Sequence, residues 1–95
     1  MKFKDIEFRG MSEIYGKDAK IGGVDLSNGL SVSIIRHNQS YGGTAGLYEV
    51  GVYKGDDGII PKGWSDTVVG WLKPEDVERE IIFLRNLKPN EWEKE

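Results

Sequence analysis

Two alternating runs, VDLS and LSVSIIR, meet at Asn28-Gly29. A type I′ turn needs positive φ at both central residues, and Asn followed by Gly meets that requirement at least steric cost. The pair predicts a β-hairpin joining residues 24–27 to residues 30–36. In the second run Leu30, Val32 and Ile34 share one face, and Ser31, Ser33 and Ile35 share the other. Residues 47–54, LYEVGVYK, return as a third strand with Tyr48, Val50 and Val52 on its buried side. Gly51 inside that run signals a bulge or a close neighbour. The connection between these strands, RHNQSYGGTAG over residues 36–46, is eleven residues long. Loops of that length in a compact domain often carry function.

Downstream, residues 55–58 (GDDG) read as a tight turn. Ile59-Ile60 reads as a possible short strand, 61–66 as a loop carrying Trp64, and 67–72 (TVVGWL) as a buried strand. Pro74 suits the first position of a helix, and Glu75 and Asp76 put negative charge at the positive end of its dipole. Val77, Ile81, Leu84 and Leu87 then form one apolar stripe, with Ile82 on roughly the opposite side. Pro89 stops the helix, and the tail is polar apart from Trp92. Upstream, residues 3–9 read as a short strand, with a first helical turn as the rival. Residues 11–23 read as a loop or one helical turn capped by Ser12. Gly22-Gly23 marks the entry to the next strand.

The expected fold is α+β: an antiparallel sheet of three to five strands with the C-terminal helix packed on one face. Its 95 residues suit a single domain. Residues 1–23 form a variable N-terminal segment, 24–72 the sheet, 74–88 the helix and 89–95 the tail. The expected core is Val32, Ile34, Tyr48, Val50, Val52, Val69, Val77, Ile81 and Leu84.

Composition narrows the function classes. Without cysteine there are no disulfides, thiolate zinc sites or thiol catalysis. A net charge of −3 is the wrong sign for holding nucleic acid by its phosphates and too mild for a DNA mimic. No apolar run approaches the ~20 residues that span a membrane. The N-terminus lacks the apolar stretch of a signal peptide. The expectation is an intracellular protein with no membrane partner and no cofactor.

His37 is the sole histidine. A general-base role needs a second group, which Glu49 or Asp66 would supply. Without a nucleophile motif, a loop histidine bonded to backbone explains it more simply. The segment YGGTAG resembles a phosphate-cradling loop but lacks the Lys-Ser/Thr ending, so its glycines more simply permit positive φ. Asp56 and Asp57 beside Gly58 have the wrong spacing for a calcium loop, and a turn explains them. No catalytic or metal-binding residue is assigned, and the chain is not expected to be an enzyme. With three Trp, four Tyr and three Phe, the chain has more aromatics than its core needs. Tyr41, Tyr53, Trp64, Trp71 and Trp92 cannot all be buried. Exposed aromatics on a rigid frame anchor protein partners. The binding candidates are Arg36, His37, Tyr41, Glu49, Trp64 and Asp66.

Three stretches, NG-x-x-V-S-x-I-R-H (28–37), S-Y-G-G-x-x-G-L-Y-E-V-x-V (40–52) and D-x-V-V-G-W-L-x-x-E-D-V (66–77), resemble a family of small bacteriophage proteins of unassigned function. The resemblance covers about half the chain and leaves out the segment before Gly22. It carries no catalytic residues. It implies a phage-type accessory protein that binds and inhibits a bacterial host or defence protein, of the anti-restriction or anti-CRISPR kind. Arg36, His37, Tyr41 and nearby loop residues would make the contact. Two further readings stand beside it. One is a small-molecule or nucleotide binder using the 36–46 loop with Glu49. The other is a homodimer or larger homo-oligomer joined through Ile82 or an open sheet edge.

Overall fold

The computed structural model describes residues 2–92. One antiparallel sheet carries a single α-helix on one face. Its strands are β1 (Phe8–Gly10), β2 (Lys20–Asp25), β3 (Ser31–Arg36), β4 (Tyr48–Lys54), β5 (Asp57–Gly58) and β6 (Val68–Leu72), followed by α1 (Pro74–Arg85). The strands run in the order β1-β2-β3-β4, and β4 then pairs with both β5 and β6. The α+β architecture read from the sequence is the one observed, with the two-residue β5 as its sixth strand.

Register explains the core. Gly22, Ile34, Val50 and Val69 face one another across four strands, as do Val24, Val32 and Val52 across three. All their side chains point to the same side of the pleat. Val77, Ile81 and Leu84 of α1 lie on that side and join Val32, Ile34, Tyr48, Val50 and Val52 in the buried cluster. Val69, also expected there, packs at its margin. Ile6, Leu26, Leu30, Leu72, Leu87 and Trp92 complete it, so Trp92 docks onto the core. The last three tail residues lie outside the described residues.

Three expectations need correction. The sheet begins at Phe8 rather than at residue 24, because Gly22-Gly23 runs through β2 instead of opening it. Ile6 and Phe8 occupy the space where a Gly22 side chain would stand. The N-terminal segment is thus part of the core: Phe3 and Phe8 pack on the Tyr48 ring, and Glu78 of α1 accepts the Phe3 amide. Residues 3–9 divide into a 3-10 turn, Phe3–Asp5, and the start of β1, and Glu13–Tyr15 forms a second such turn after Ser12.

The second correction concerns the turn. The Leu26 carbonyl accepts the Gly29 amide across Ser27-Asn28, and Leu26 in turn donates to Leu30. Gly29 has φ +93°, but Asn28 is not in the positive region. This is a three-residue loop closed by a glycine, not a two-residue type I′ turn. Its geometry turns the Asn28 carboxamide toward α1, where it donates to the carbonyls of Leu84 (2.8 Å) and Leu87 (3.2 Å) and accepts from the Leu30 amide (3.2 Å). Leu84 lies in the last turn of α1, where carbonyls lack the regular helical donor, and its carbonyl also accepts the Leu87 amide at 3.3 Å; Leu87 follows just beyond the helix. Asn28 therefore couples the hairpin to the helix terminus.

Thirdly, the helix ends at Arg85 rather than 88, with Asn86 as its cap. Three chain turns share one device. The carboxylates of Asp5, Asp76 and Glu91 each accept the amide of the residue three positions earlier: Lys2, Lys73 and Lys88. At α1 the Lys73 amide, then Arg79, holds the Asp76 carboxyl below its ordinary value. One turn on, burial pushes the Glu80 carboxyl above its ordinary value, against the opposing pull of a hydrogen bond from the Trp64 side chain.

Asn28→Ala should lower stability by ~1–3 kcal/mol in urea denaturation, as the carbonyls of Leu84 and Leu87 lose a donor. Asn28→Asp should cost more at neutral pH, because it sets a carboxylate against carbonyl oxygens at the negative end of the helix dipole. That excess should fade as the carboxylate is protonated in acid. Glu80→Gln keeps an acceptor for Trp64 and removes a charge that folding disfavours. Its gain in melting temperature over the parent should open as pH rises above 4.5, the ordinary Glu80 value, and vanish below it.

Candidate functional site

The 36–46 loop is not an unstructured connection. A 3-10 turn, Gly43–Ala45, follows Gly42 at φ +90°. Ser40 is buried, its hydroxyl accepting the His37 amide and donating to the His37 carbonyl, both at 2.9 Å. Nδ1 of His37 accepts the Gln39 amide at 3.0 Å. The histidine thus serves its own loop, as the simpler reading of it holds.

The loop is pinned at two places. On one side the Asn38 amide donates to the Tyr15 carbonyl (2.8 Å), and the Tyr15 and His37 rings lie 5.5 Å apart. The Arg36 guanidinium donates to the Asp18 carbonyl (3.3 Å) and lies over the Tyr48 ring. Between this loop and the 13–19 segment opens a cavity of about 300 Å³, lined by Tyr15, Lys17, Asp18, Arg36, His37 and Thr44 among others.

On the other side Tyr41 meets β6. The Glu49 carboxylate accepts the Tyr41 amide at 3.0 Å, and the Tyr41 carbonyl accepts the Trp71 amide at 3.0 Å. The contact is backbone on backbone. A side chain on Gly70 would overlap the Tyr41 Cβ, and one on Gly42 would come within 2.9 Å of the Trp71 Cα.

Here β6 carries a bulge. Val69 faces Val50 and Leu72 faces Tyr48, so Gly70 and Trp71 together oppose Glu49. Strict alternation from Val69 would send the Trp71 ring into the core. The extra residue brings Leu72 inward instead and leaves Trp71 63% exposed. Trp71 has φ +59°, the sole non-glycine residue with positive φ among the described residues. For an L residue that conformation costs ~1–2 kcal/mol, so it persists only where the surroundings impose it. Tyr41, beside it, is 56% exposed.

The six candidate residues divide. Arg36 and His37 line the cavity, while Tyr41 and Glu49 are joined by a hydrogen bond on the bulge side. Trp64 and Asp66 do not join them. Trp64 packs against the core and bonds to Glu80, and Asp66 accepts the Thr67 amide in its own exposed loop. Glu49 accepts the Tyr41 amide and is not part of the cavity lining. Tyr15, Lys17 and Trp71 are not among the six candidates, although Trp71 belongs to the aromatics too numerous for the core to bury. Only Trp71 had a signal, a bulky aromatic after glycine in an otherwise aliphatic strand. The chain matches no protein-family model, no curated protein and no solved structure. Among the described residues no helix is long and apolar enough to cross a membrane.

Trp71→Ala and Trp71→Gly remove the same ring but differ in backbone tolerance. Glycine in a strand is ordinarily less stable than alanine by ~0.5–1 kcal/mol. At φ +59° the order should reverse, with Trp71→Gly the more stable by ~1 kcal/mol in chemical denaturation.

Proposed function

We propose that the protein acts by binding another protein, with Tyr41 and Trp71 as its anchors. The observation that carries this reading is the exposed Trp71 ring, held outward by a bulge at the cost of an unfavourable backbone conformation. A fold that spends stability to present a tryptophan to solvent is accounted for if the ring is buried in a complex. Tryptophan and tyrosine dominate the energetics of protein interfaces, and rings fixed before binding lose little freedom on docking. The glycines at 42 and 70, by letting the two backbones touch, keep the anchors in one rigid unit.

The resemblance of residues 28–77 to small bacteriophage proteins supplies the kind of partner. On that reading the target is a bacterial host or defence protein, met in the bacterial cytosol and inhibited by occlusion rather than by chemistry. The net charge of −3 favours a protein partner over nucleic acid.

The test uses tagged wild-type chain, Trp71→Gly and Tyr41→Ala as baits in bacterial lysate treated with nuclease. The expected outcome is one protein retained stoichiometrically by wild type and lost from both variants, each shown folded by circular dichroism. Retention undiminished in both variants would remove Tyr41 and Trp71 from the interface. Capture of nothing by the wild type would overturn the host-protein reading.

A further inference from the structure

We propose that the cavity between the 13–19 segment and the 36–46 loop is an oxyanion site, receiving a phosphate or carboxylate group. The first observation is one of register. Lys20 and Arg36 are direct cross-strand partners at the ends of β2 and β3. Like charges placed opposite each other destabilise a strand pair. Both side chains are half-buried and converge on one ring: the Lys20 Nζ lies 5.5 Å and the Arg36 Cζ 5.4 Å from the centroid of Tyr48. Lys20 also lies 4.8 Å from the Phe8 ring.

The second observation is that this charge is not neutralised. Neither Lys20 nor Arg36 pairs with a carboxylate among the described residues, although the chain holds 16 acidic residues against 13 basic ones. Covering the Tyr48 ring would need one cation, not two. The Asp18 carbonyl and the Tyr48 face orient the Arg36 guanidinium without cancelling its charge.

The third is the company Arg36 keeps in the cavity. Lys17 and His37 line it too, and since the His37 Nδ1 accepts the Gln39 amide, the neutral ring carries its proton on Nε2. A planar guanidinium fork, an ammonium and an imidazole N–H are the donors that recognise phosphate or carboxylate. Asp18 is the single acidic residue in the lining, and about 300 Å³ suits a small ligand or one inserted acidic side chain. The site is separate from the Tyr41–Trp71 anchors and does not depend on the partner reading.

The experiment is a titration of the full ¹⁵N-labelled chain, followed by amide shifts at constant ionic strength. Inorganic phosphate is one probe and an acetylated, amidated tri-glutamate peptide the other. Saturable shifts centred on residues 17–20, 36–38 and 44 are expected. Arg36→Gln should weaken the response about tenfold or more, the scale of a lost charge-assisted hydrogen bond. Lys17→Met removes the other cation of the lining at an exposed position that leaves the core untouched, and should also bind more weakly. The probe that saturates at the lower concentration distinguishes a small phosphate ligand from an acidic protein segment. The absence of saturable shifts with both probes, or shifts undiminished in both variants, would overturn the proposal.

Discussion

The burial of Tyr48 ties the parts of this molecule together. The residue opens β4, faces Leu72 across the bulged pair, and is almost fully shielded from solvent. Its cover comes from four places in the chain. Phe3 stands edge-on at 5.0 Å, Phe8 is tilted at 5.7 Å, and Lys20 and Arg36 supply cationic heads. An aromatic of this size contributes through area and through the offset geometry of its ring contacts. Because its partners come from the N-terminal turn, β1, β2 and β3, Tyr48 is buried only when those elements are assembled. The N-terminal segment is therefore required by the core, and the Phe3 amide on Glu78 extends the same tie to α1.

That arrangement has a consequence at the opposite side of β4. With Tyr48 fixed inward, the bulge at Gly70-Trp71 decides which β6 residue shares its face. Without the extra residue Trp71 would have to fit beneath the helix. With it, the smaller Leu72 fills the place and the indole goes outward. The positive φ at Trp71 is maintained by the amide's bond to the Tyr41 carbonyl and by the close approach that Gly42 and Gly70 permit. The loop that looks like a connection in the sequence is the clamp on this strained residue.

How much of this was legible follows from which interactions are local. The strands around Asn28-Gly29 and the stripe Val77-Ile81-Leu84 are set by periodicity, and periodicity is visible in a single chain. The turn type was not, because Asn28 has a second use: its carboxamide reaches the carbonyls of Leu84 and Leu87, more than fifty positions away. The strand through Gly22-Gly23 was masked by residues that punctuate by default, and it forms because Ile6 and Phe8 fill the space above Gly22. For the candidate site, Arg36, His37 and Tyr41 stand out in the sequence through loop length and composition. Lys17 and Lys20 could not be found in that way, since their relation to Arg36 exists only once register and the 13–19 segment are known. Trp64 shows the converse: its Glu80 partner lies across the fold, so an aromatic that looks surplus in the sequence is engaged in the structure.

The two features of the loop end differ in what they ask of a partner. On the proposed reading Tyr41 and Trp71 would offer a partner apolar area with no charge requirement. The Lys20–Arg36 end offers little area but an uncompensated positive field on a chain whose net charge is −3. On a chain of net negative charge, an acidic group would be drawn to the cationic end. Charge arranged this way governs orientation and encounter more than final affinity. Aromatic anchors on one flank of the loop and cations on the other would therefore select a surface that pairs an apolar cleft with an acidic group nearby. The spacing of those two features is fixed by the loop, which is held on one side by Gly70 and on the other by Tyr15.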